Sequence, residues 1–360
     1  MEKIRFSSKN SLENEFATVL KKKVQEYFTS NNISMNANAA MVIKTIIMVS
    51  IYVVPFVLLL CIDMNLWWGL LMAFIMGVGI AGVGMGVMHD ACHGSYSKRK
   101  WVNDWLGGSL YLLGSNVLNW KIQHNVLHHT YTNLTGLDED INAKGPIRLS
   151  KGTPLKRYHR FQFLYAFFFY GAMTISKLVN DFSNLYRYNK EGLVARMKGN
   201  VKVEFLKMSI RKALYLAIIF GLPLWFTDFS FPQILVGFFV MHWVASMILS
   251  FIFQMAHVVE GAEQPENEIA SETNWFVHQL RTTSDFARNN RLLSWYVGGL
   301  NFQIEHHLFQ NVCHIHYRKI ALIVEKTARE YGIEYNLKPS FASALNSHVK
   351  MLKHYGVSHS

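Results

Sequence analysis

Two pairs of long apolar runs place the strongest constraint on how this chain can fold. The first pair covers 40–62 and 66–88, and the second covers 208–226 and 231–256. Each run approaches or exceeds the roughly 20 apolar residues that a bilayer-spanning helix needs. Only "IDMN" separates the first two runs and only "TDFS" the last two, so each pair predicts a tight helical hairpin. The sequence therefore predicts an all-α integral membrane protein with two transmembrane hairpins, or four spans.

The distribution of charge predicts how these hairpins are oriented. The net charge is +12, and the long segments 97–160 and 257–360 are rich in Lys and Arg, whereas both short turns carry Asp and neither Lys nor Arg. The positive-inside rule places the long segments and both termini in the cytoplasm. Beside long apolar runs, this charge indicates a membrane surface and not a nucleic-acid partner. Lys44 and Arg211 lie near span ends, where their side chains are expected to snorkel.

The remaining sequence predicts helices at the membrane surface. The short aromatic stretches 105–118 and 161–176 are predicted to be interfacial or re-entrant helices, with a third hairpin as the alternative. Residues 10–29 form an amphipathic pattern, with Asn10 and Glu13 arranged like a capping box. This pattern fits an interfacial helix or an ordinary packed soluble helix.

These patterns predict three parts of the chain. Residues 1–39 are expected to form a cytoplasmic or interfacial N-terminal helix, 40–320 the membrane domain, and 321–360 a cytoplasmic C-terminal helical segment. The polar, basic start lacks the apolar core and cleavage site of a signal peptide. The three cysteines form no CxxC pair, so they are expected to be reduced.

Histidine is the unusual residue, with 16 in the chain. Three clusters, "HDACH", "HNVLHH" and "QIEHH", have spacings that put their side chains on one helical face. Each is predicted to lie on the cytoplasmic side. The clustered side chains are His89 and His93; His124, His128 and His129; and Gln303, His306 and His307. Two further histidines stand nearby, His257 at the end of the last span and His278 in "WFVHQLRTTSDFA".

The clusters predict a metal centre with two ions. Burying an imidazole beside an apolar span without a partner costs free energy. Coordination of a metal ion would remove this cost and so explain why the chain carries these histidines. Eight histidines and a glutamine exceed what one ion binds, and the HExxH and CxxC zinc patterns are absent. The Glu-x-x-His pairs of carboxylate-bridged di-iron bundles are also missing. A histidine-rich di-iron site held by a cytoplasmic helical cap is the better fit.

In order, spacing and position relative to the two hairpins, the three boxes resemble those of the membrane fatty acid desaturases. The glutamine that opens "QIEHH" resembles the front-end subgroup, which acts between an existing double bond and the carboxyl end. "HHTYTNLTGLDEDI" and "WFVHQLRTTSDFA" are similar to bacterial linoleoyl-CoA desaturase-like proteins. The resemblance covers roughly residues 40–320.

The resemblance implies an oxygen-dependent fatty acyl desaturase of unsaturated fatty acid biosynthesis that introduces a cis double bond, with front-end regioselectivity such as Δ6. The substrate would be a fatty acyl-CoA or an acyl-lipid, and the location a bacterial inner membrane with a cytoplasmic active site. No catalytic residue beyond the metal ligands is expected. The iron ligands it implies are His89, His93, His124, His128, His129, His257, Gln303, His306 and His307.

Other residues are candidates for supporting roles. His278, Asp140, Thr282 and Asp285 are possible partners of the ligands or of the substrate. Trp120, Trp275 and Trp295 are candidates for lining an acyl tunnel.

The chain has no His-Pro-Gly-Gly haem motif, so electrons would come from a separate ferredoxin, flavodoxin-type protein or free cytochrome. The basic residues expected to dock this donor are Lys98, Arg99, Lys100, Lys151, Lys156, Arg157 and Arg160.

Two rival functions follow from the same residues. A hydroxylase on the same di-iron scaffold would differ only in the fate of the substrate radical. A metal transporter would need a path of polar residues through the spans, where His242 is the main candidate. One such residue does not make a path.

Overall fold

The computed structural model describes residues 4–142 and 145–358 and is predominantly helical. In these ranges three helices are long and apolar enough to cross a membrane, namely Ala39–Cys61, Leu66–His93 and Phe231–His257. The predicted run 208–226 lies in a continuous helical segment, 201–226, that is not one of the three. Its first half carries several charged residues, including Lys202, Lys207 and Arg211.

The helices and strands follow one another as a series of long and short elements. The α-helices of the first half are α1 (Ser11–Ser30), α2 (Ala39–Cys61), α3 (Leu66–Val83), α4 (His89–His93), α5 (Lys100–Gly107), α6 (Val117–Lys121), α7 (Gln162–Tyr170), α8 (Met173–Lys190) and α9 (Leu193–Arg196). Those of the second half are α10 (Val201–Leu216), α11 (Leu222–Phe226), α12 (Phe231–His257), α13 (Asn267–Ser271), α14 (Trp275–Thr282), α15 (Arg291–Tyr296), α16 (Gln303–Leu308), α17 (Tyr317–Glu330) and α18 (Phe341–Val357). Strands β1 (Asp285–Phe286) and β2 (Leu337–Lys338) pair in parallel.

Three π-helical turns interrupt or extend these helices. They cover Gly84–Met88, Ile122–His128 and Ala217–Gly221. The first joins α3 to α4, so that one continuous helix runs from Leu66 to His93. Turns of 3₁₀ helix cover Gly108–Leu113, Arg157–Phe161 and His314–His316. π-Turns often mark functional sites, and two of them lie at the first two histidine clusters.

The first hairpin forms as the sequence predicts. The Asn65 side chain caps α3 by accepting a hydrogen bond from the backbone N–H of Trp68. Helix α3 then packs against both α2 and α12. The apolar side chains on the outer face of α2, including Ile43 and Ile46, are exposed, as expected for a surface that faces lipid.

The N-terminal amphipathic helix packs against protein. In α1, Phe16, Leu20, Val24 and Phe28 are buried, and the helix contacts α17. Asn10 caps the helix as predicted, but Glu13 does not complete a capping box with it; Glu13 accepts a hydrogen bond from the backbone of Asn274 instead. The packed-helix alternative is therefore the one that the structure favours.

The two short aromatic stretches do not form a third hairpin. The first is divided between α5, a 3₁₀ turn and α6, and the second lies mostly in α7. All of these are too short to cross a bilayer. Trp101 and Trp105 are largely exposed on α5, as are Leu164 and Phe168 on α7. Exposed aromatic and aliphatic side chains on short helices suit the membrane interface.

Candidate metal centre

The first histidine cluster lies at the end of the long α3–α4 helix. The π-turn at Gly84–Met88 precedes His89, and Gly94, with φ of +77°, ends the helix directly after His93. A left-handed residue at this position is a common way to end a helix and favours glycine. Both histidines therefore lie at the end of this long apolar helix. The His89 ring is 4.4 Å from the His306 ring, centroid to centroid.

The second cluster lies on a π-turn, a detail that the spacing of the histidines did not reveal. The backbone N–H of His129 donates to the carbonyl of His124 at 3.0 Å, an i to i+5 bond. The Nε2 atoms of these two residues are 3.2 Å apart, and that of His124 is 3.0 Å from Nε2 of His89. The wider turn thus directs these imidazoles toward the first cluster.

The third cluster divides its two histidines between two groups. His306 and His307 are adjacent in the buried helix α16, and their ring planes differ by 81°. One group of donor atoms consists of His89, His93, His124 and His306, and another of His128, His257 and His307. His129 lies close to both His306 and His307. In each group all donor atoms lie within 4.8 Å of one another.

This arrangement fits two metal ions. All eight histidines predicted as ligands belong to these groups, and nearly all are buried. Imidazole nitrogens 3 Å apart without a shared proton repel each other, and a metal ion between them removes that cost. Nitrogen-only ligand sets suit iron, copper and zinc. The number of histidines is sufficient for two ions of three to four protein ligands each.

Hydrogen bonds to the other ring nitrogen, Nδ1, orient the imidazoles. In four of them Nδ1 meets a protein oxygen: His128 meets Asp138 at 3.0 Å, His257 meets the carbonyl of Thr282 at 3.4 Å, His306 meets the hydroxyl of Tyr317 at 3.2 Å, and His307 meets Gln279 at 2.8 Å. The Nε2 atoms of these four rings have no hydrogen-bond partner among the described residues. Such outer partners hold ligating histidines in one tautomer, so each Nε2 is left to bind metal.

Electrostatics favour neutral, metal-binding imidazoles. Burial lowers the pKa of His124, His129, His306 and His307 well below the ordinary value, and neighbouring histidines add to the effect. His128 is the exception. Burial is the largest single effect on its pKa and lowers it, but the carboxylates of Asp138 and Asp140 together outweigh burial and raise the pKa to about 9. The Asp138 carboxylate also increases the basicity of a ligating imidazole.

The residues predicted to support the site have different surroundings. Asp140 lies 3.5 Å from Nδ1 of His128, farther than the fully buried Asp138, so Asp138 is the closer partner of His128. His278 is bonded to the carbonyl of Thr132 and is not in any of the metal-binding groups. Thr282 bonds His257 through its backbone carbonyl. Asp285 accepts the backbone N–H of Ile304 and so anchors α16.

Gln303 occupies the first turn of α16, one turn before His306 and His307. It is buried, and its amide nitrogen has no hydrogen-bond partner among the described residues. Its role as a ligand remains a prediction.

Lys44 does not snorkel to the membrane surface. Its side chain is buried, and its ammonium is 2.8 Å from Nε2 of His314. Nδ1 of His314 lies 2.7 Å from the carboxylate of Asp90, which also accepts from the thiol of Cys313. This chain of contacts joins α2, the first histidine box and the segment after the third box. Sequence reasoning missed it because Lys44 and His314 are 270 residues apart.

A cavity of about 560 Å³ adjoins the histidines. Its wall includes His89, His124 and His257 together with Trp120, one of the three tryptophans proposed from sequence. The other two are elsewhere, since Trp275 packs on Phe276 and Trp295 lies near the Lys44 ammonium. One part of the cavity wall is polar and includes Lys177, Asn180, Asn184, Arg187, Glu139 and Asp140. Another part is apolar and includes Leu110, Leu113, Leu249 and Phe253, with Leu113 and Leu249 close to Gly84.

Comparison with known proteins is consistent with this geometry. The family model described as fatty acid desaturase matches residues 65–339. The chain is 33% identical to the sn-1 linoleoyl-lipid 6-desaturase of Arthrospira platensis over 94% of this chain and 92% of that protein. It is 32% identical to the protein of the same name from Synechocystis sp., covering 99% and 98% of the two chains. It is also 34% identical to an acyl-lipid (8-3)-desaturase of Physcomitrium patens, covering 96% and 72%.

Proposed function

The chain belongs to the fatty acid desaturase family and acts as a fatty acid desaturase, and we propose that it is a front-end enzyme that introduces a cis double bond at the 6 position of an acyl-lipid. The observation that carries this proposal is that His89, His124 and His257, from the histidine groups, line a cavity whose wall has both a polar and an apolar part. Such a cavity suits a substrate with a polar head and an acyl chain.

The histidines suit the chemistry that desaturation requires. The methylenes of an acyl chain have no acidic hydrogen, so acid–base side chains cannot remove them. Two iron ions held by the eight histidines would supply the oxygen-dependent oxidation when bound. Removing two hydrogens from the chain while O₂ is reduced to two waters consumes two more electrons and two protons. An external donor must supply those electrons.

The protein's own contribution is to position and enclose the chain. The apolar part of the cavity wall comes from the π-turn after α3, from α12 and from the 3₁₀ turn that contains Leu110. A chain bound there is held beside His89, His124 and His257 and is shielded from water. The outer partners of the imidazoles, above all Asp138 and Gln279, keep the ligating nitrogens directed at one point.

The charge at the polar part of the wall favours an acyl-lipid over an acyl-CoA. Arg187 forms an ion pair with Glu139, and the ammonium of Lys177 bonds the side chain of Gln123. With Asp140 also present, acids and bases are equal in number there. A CoA carrier bears several phosphates, which normally bind to clustered, unpaired cations. The names of the cyanobacterial relatives also specify a lipid-linked linoleoyl chain.

Four spans remain our proposal for the membrane topology. The continuous helix Leu66–His93 and helix α12 both end at the metal centre. Their first residues, Leu66 and Phe231, would therefore lie on the far side of the membrane. The chain must therefore return to that side between residues 93 and 231. The continuous helical segment 201–226, which ends just before α12, is the one that can do so. The active site and both termini would then be cytoplasmic.

The electron donor is proposed to be a separate acidic protein, such as a ferredoxin, a flavodoxin-type protein or a free cytochrome. A basic cytoplasmic surface would attract it electrostatically.

The direct test is the fatty acid profile of a host that expresses the chain and is fed linoleate, with His128→Ala as the control. Gas chromatography–mass spectrometry should find a new acid with one more double bond at position 6, absent from the control. A hydroxylated product would support the rival oxygenase instead. A double bond elsewhere would reject the 6 position. A purified protein without iron and without product would reject the di-iron desaturase proposal.

A further inference from the structure

A second, apolar cavity of about 60 Å³ lies along the same two helices as the active-site cavity. It is lined by residues between 66 and 76 of α3 and between 233 and 241 of α12, whereas the active-site cavity begins at Gly84 and at Leu249 of the same helices. The two cavities are thus stacked along one helix pair. About seven residues of each helix separate them, or about 10 Å at the helical rise per residue.

A buried hydrogen-bonded network occupies the space between the cavities. Nε2 of His242 is 2.6 Å from the hydroxyl of Tyr215, and Nδ1 is 2.9 Å from the hydroxyl of Thr174. Thr174 is also 2.7 Å from the hydroxyl of Ser246. All four side chains are buried. Both ring nitrogens of His242 therefore have a partner, so the ring is fixed in position from both sides.

His242 contacts the walls of both cavities. Its partner Thr174 lines the active-site cavity, and its ring lies 4.4 Å, between centroids, from that of Phe238, which lines the second cavity. The backbones of α3 and α12 also approach closely here, because a Cβ atom on Gly77 would lie 2.5 Å from the carbonyl of Met241. The network and this close approach together form a partition.

A polar side chain such as His242, in the middle of a long apolar helix, needs an explanation. Polar side chains inside a membrane are costly and usually functional. One histidine does not form a transport path, as the sequence already indicated. A satisfied network does form a rigid wall, since displacing any member would leave a buried polar group unpaired.

We propose that the His242–Tyr215–Thr174 network is the floor of the acyl cavity and limits how far the methyl end of the substrate extends beyond the metal centre. The inference rests on the proposed function, because it takes the occupant to be an acyl chain whose head lies at the polar part of the cavity wall. The apolar part of the wall leads from the histidines toward this network, so the methyl end meets the floor. The floor then selects against longer chains.

The test is a competition between two substrates in one culture. Linoleate is fed together with its homologue extended by two methylene groups at the methyl end, so the double bonds keep their distance from the carboxyl group. The ratio of the two products is independent of how much enzyme is made. His242→Ala shortens the floor side chain, and His242→Phe removes the hydrogen bonds while keeping a ring. Phe238→Ala alters the wall of the second cavity and removes a ring that packs on His242, but it leaves the hydrogen bonds of the network in place.

His242→Ala is expected to raise the ratio of long to short product by about tenfold, since single methylenes in a pocket change specificity by about 10- to 200-fold. His242→Phe keeps a ring that blocks the chain but loses the hydrogen bonds that hold it, so it is expected to raise the ratio less than His242→Ala does. Phe238→Ala is expected to keep the wild-type ratio. An unchanged ratio in His242→Ala, or an equal change in His242→Phe, would overturn the proposal. If neither His242 variant forms product, Thr174→Ala and Thr174→Val decide: the first should raise the ratio and the second should not. A wild-type chain without product would instead reject the proposed function.

Discussion

The imidazole of His128 and the carboxylate of Asp138 lie 3.0 Å apart in the interior of the protein, with neither exposed to solvent. Asp138 also accepts hydrogen bonds from the backbone N–H groups of Asn133 and Asp140. The loop after the second histidine box is therefore folded around one carboxylate. That carboxylate fixes the tautomer of a proposed ligand, and so connects the sequence "LDED" to the metal centre.

Replacing Asp138 should weaken metal binding. In Asp138→Asn, the carboxylate that orients His128 is lost while the side-chain shape is kept. Losing such an outer partner typically costs about 10- to 100-fold in metal affinity or activity. Iron content of the purified protein and conversion of linoleate would measure the effect. Asp140→Asn is the matched control and should have a smaller effect, because Asp140 is farther from His128. Equal effects of the two variants would contradict the assignment.

Replacing His257 and replacing His278 should have very different effects on the iron content of the protein. His257 lies in a group of possible ligands with His128 and His307, whereas His278 bonds a backbone carbonyl. We expect His257→Ala to lose bound iron and product formation. We expect His278→Ala to keep most of its iron and to be less stable, because it loses a buried hydrogen bond. Metal analysis of both proteins, purified in the same detergent, distinguishes them. Iron loss in His278→Ala alone would reverse the assignment.

Lys44→Met should strongly destabilise the protein. The Lys44 ammonium compensates the buried Asp90 carboxylate through His314, whose pKa is lowered by burial even though Asp90 opposes that shift. Removing one partner of a buried charge pair costs about 3–5 kcal/mol. Lys207→Met is the control, because Lys207 pairs with Glu204 at the surface, where pairs contribute about 0–1 kcal/mol. Thermal unfolding in detergent would compare them, and similar Tm values for both variants would refute the prediction.

His348 should make stability depend on acid pH. It is buried between the carbonyl of Val258 and the hydroxyl of Tyr170, and burial lowers its pKa from 6.5 to about 4. The unfolded chain therefore binds this proton first as the pH falls. The stabilisation is complete above pH 6.5 and is lost between about 6.5 and 4, with about 2 kcal/mol lost by pH 5.

The measurement is the change in unfolding free energy between about pH 7.5 and pH 5 in wild type and in His348→Gln. Other buried histidines contribute to both proteins, so the difference between the two changes isolates His348. The variant should lose less stability on acidification. An identical loss in both proteins would show that His348 does not titrate as its burial implies.

Periodicity and spacing were enough to predict much of this protein. The length of the apolar runs predicted the α2–α3 hairpin and α12. A segment that crosses a membrane must make its backbone hydrogen bonds internally, and a sufficiently long helix does so. The spacing of the histidines singled out seven of the eight side chains that the structure brings together in groups able to hold a metal ion, and the family resemblance added His257. Their role as ligands stays a prediction. The family resemblance drawn from those boxes is confirmed by the comparisons.

Local patterns did not determine the partners of those side chains. The π-turn at His124–His129 depends on packing that a helical spacing rule cannot represent. The choice of Asp138 over Asp140 depends on how one loop folds around a carboxylate. Lys44 was expected to snorkel because its partner His314 is 270 residues away in the sequence.

The sequence by itself thus determined the kind of protein: helices that fit a membrane, and enough imidazoles on one side to bind two ions. Only the tertiary structure decided which nitrogens face each other, which oxygens orient them, and which side chains surround His242. The physical reason is that hydrophobic length and residue spacing act within a single helix. Hydrogen-bond pairing and cavity depth arise between helices distant in the chain.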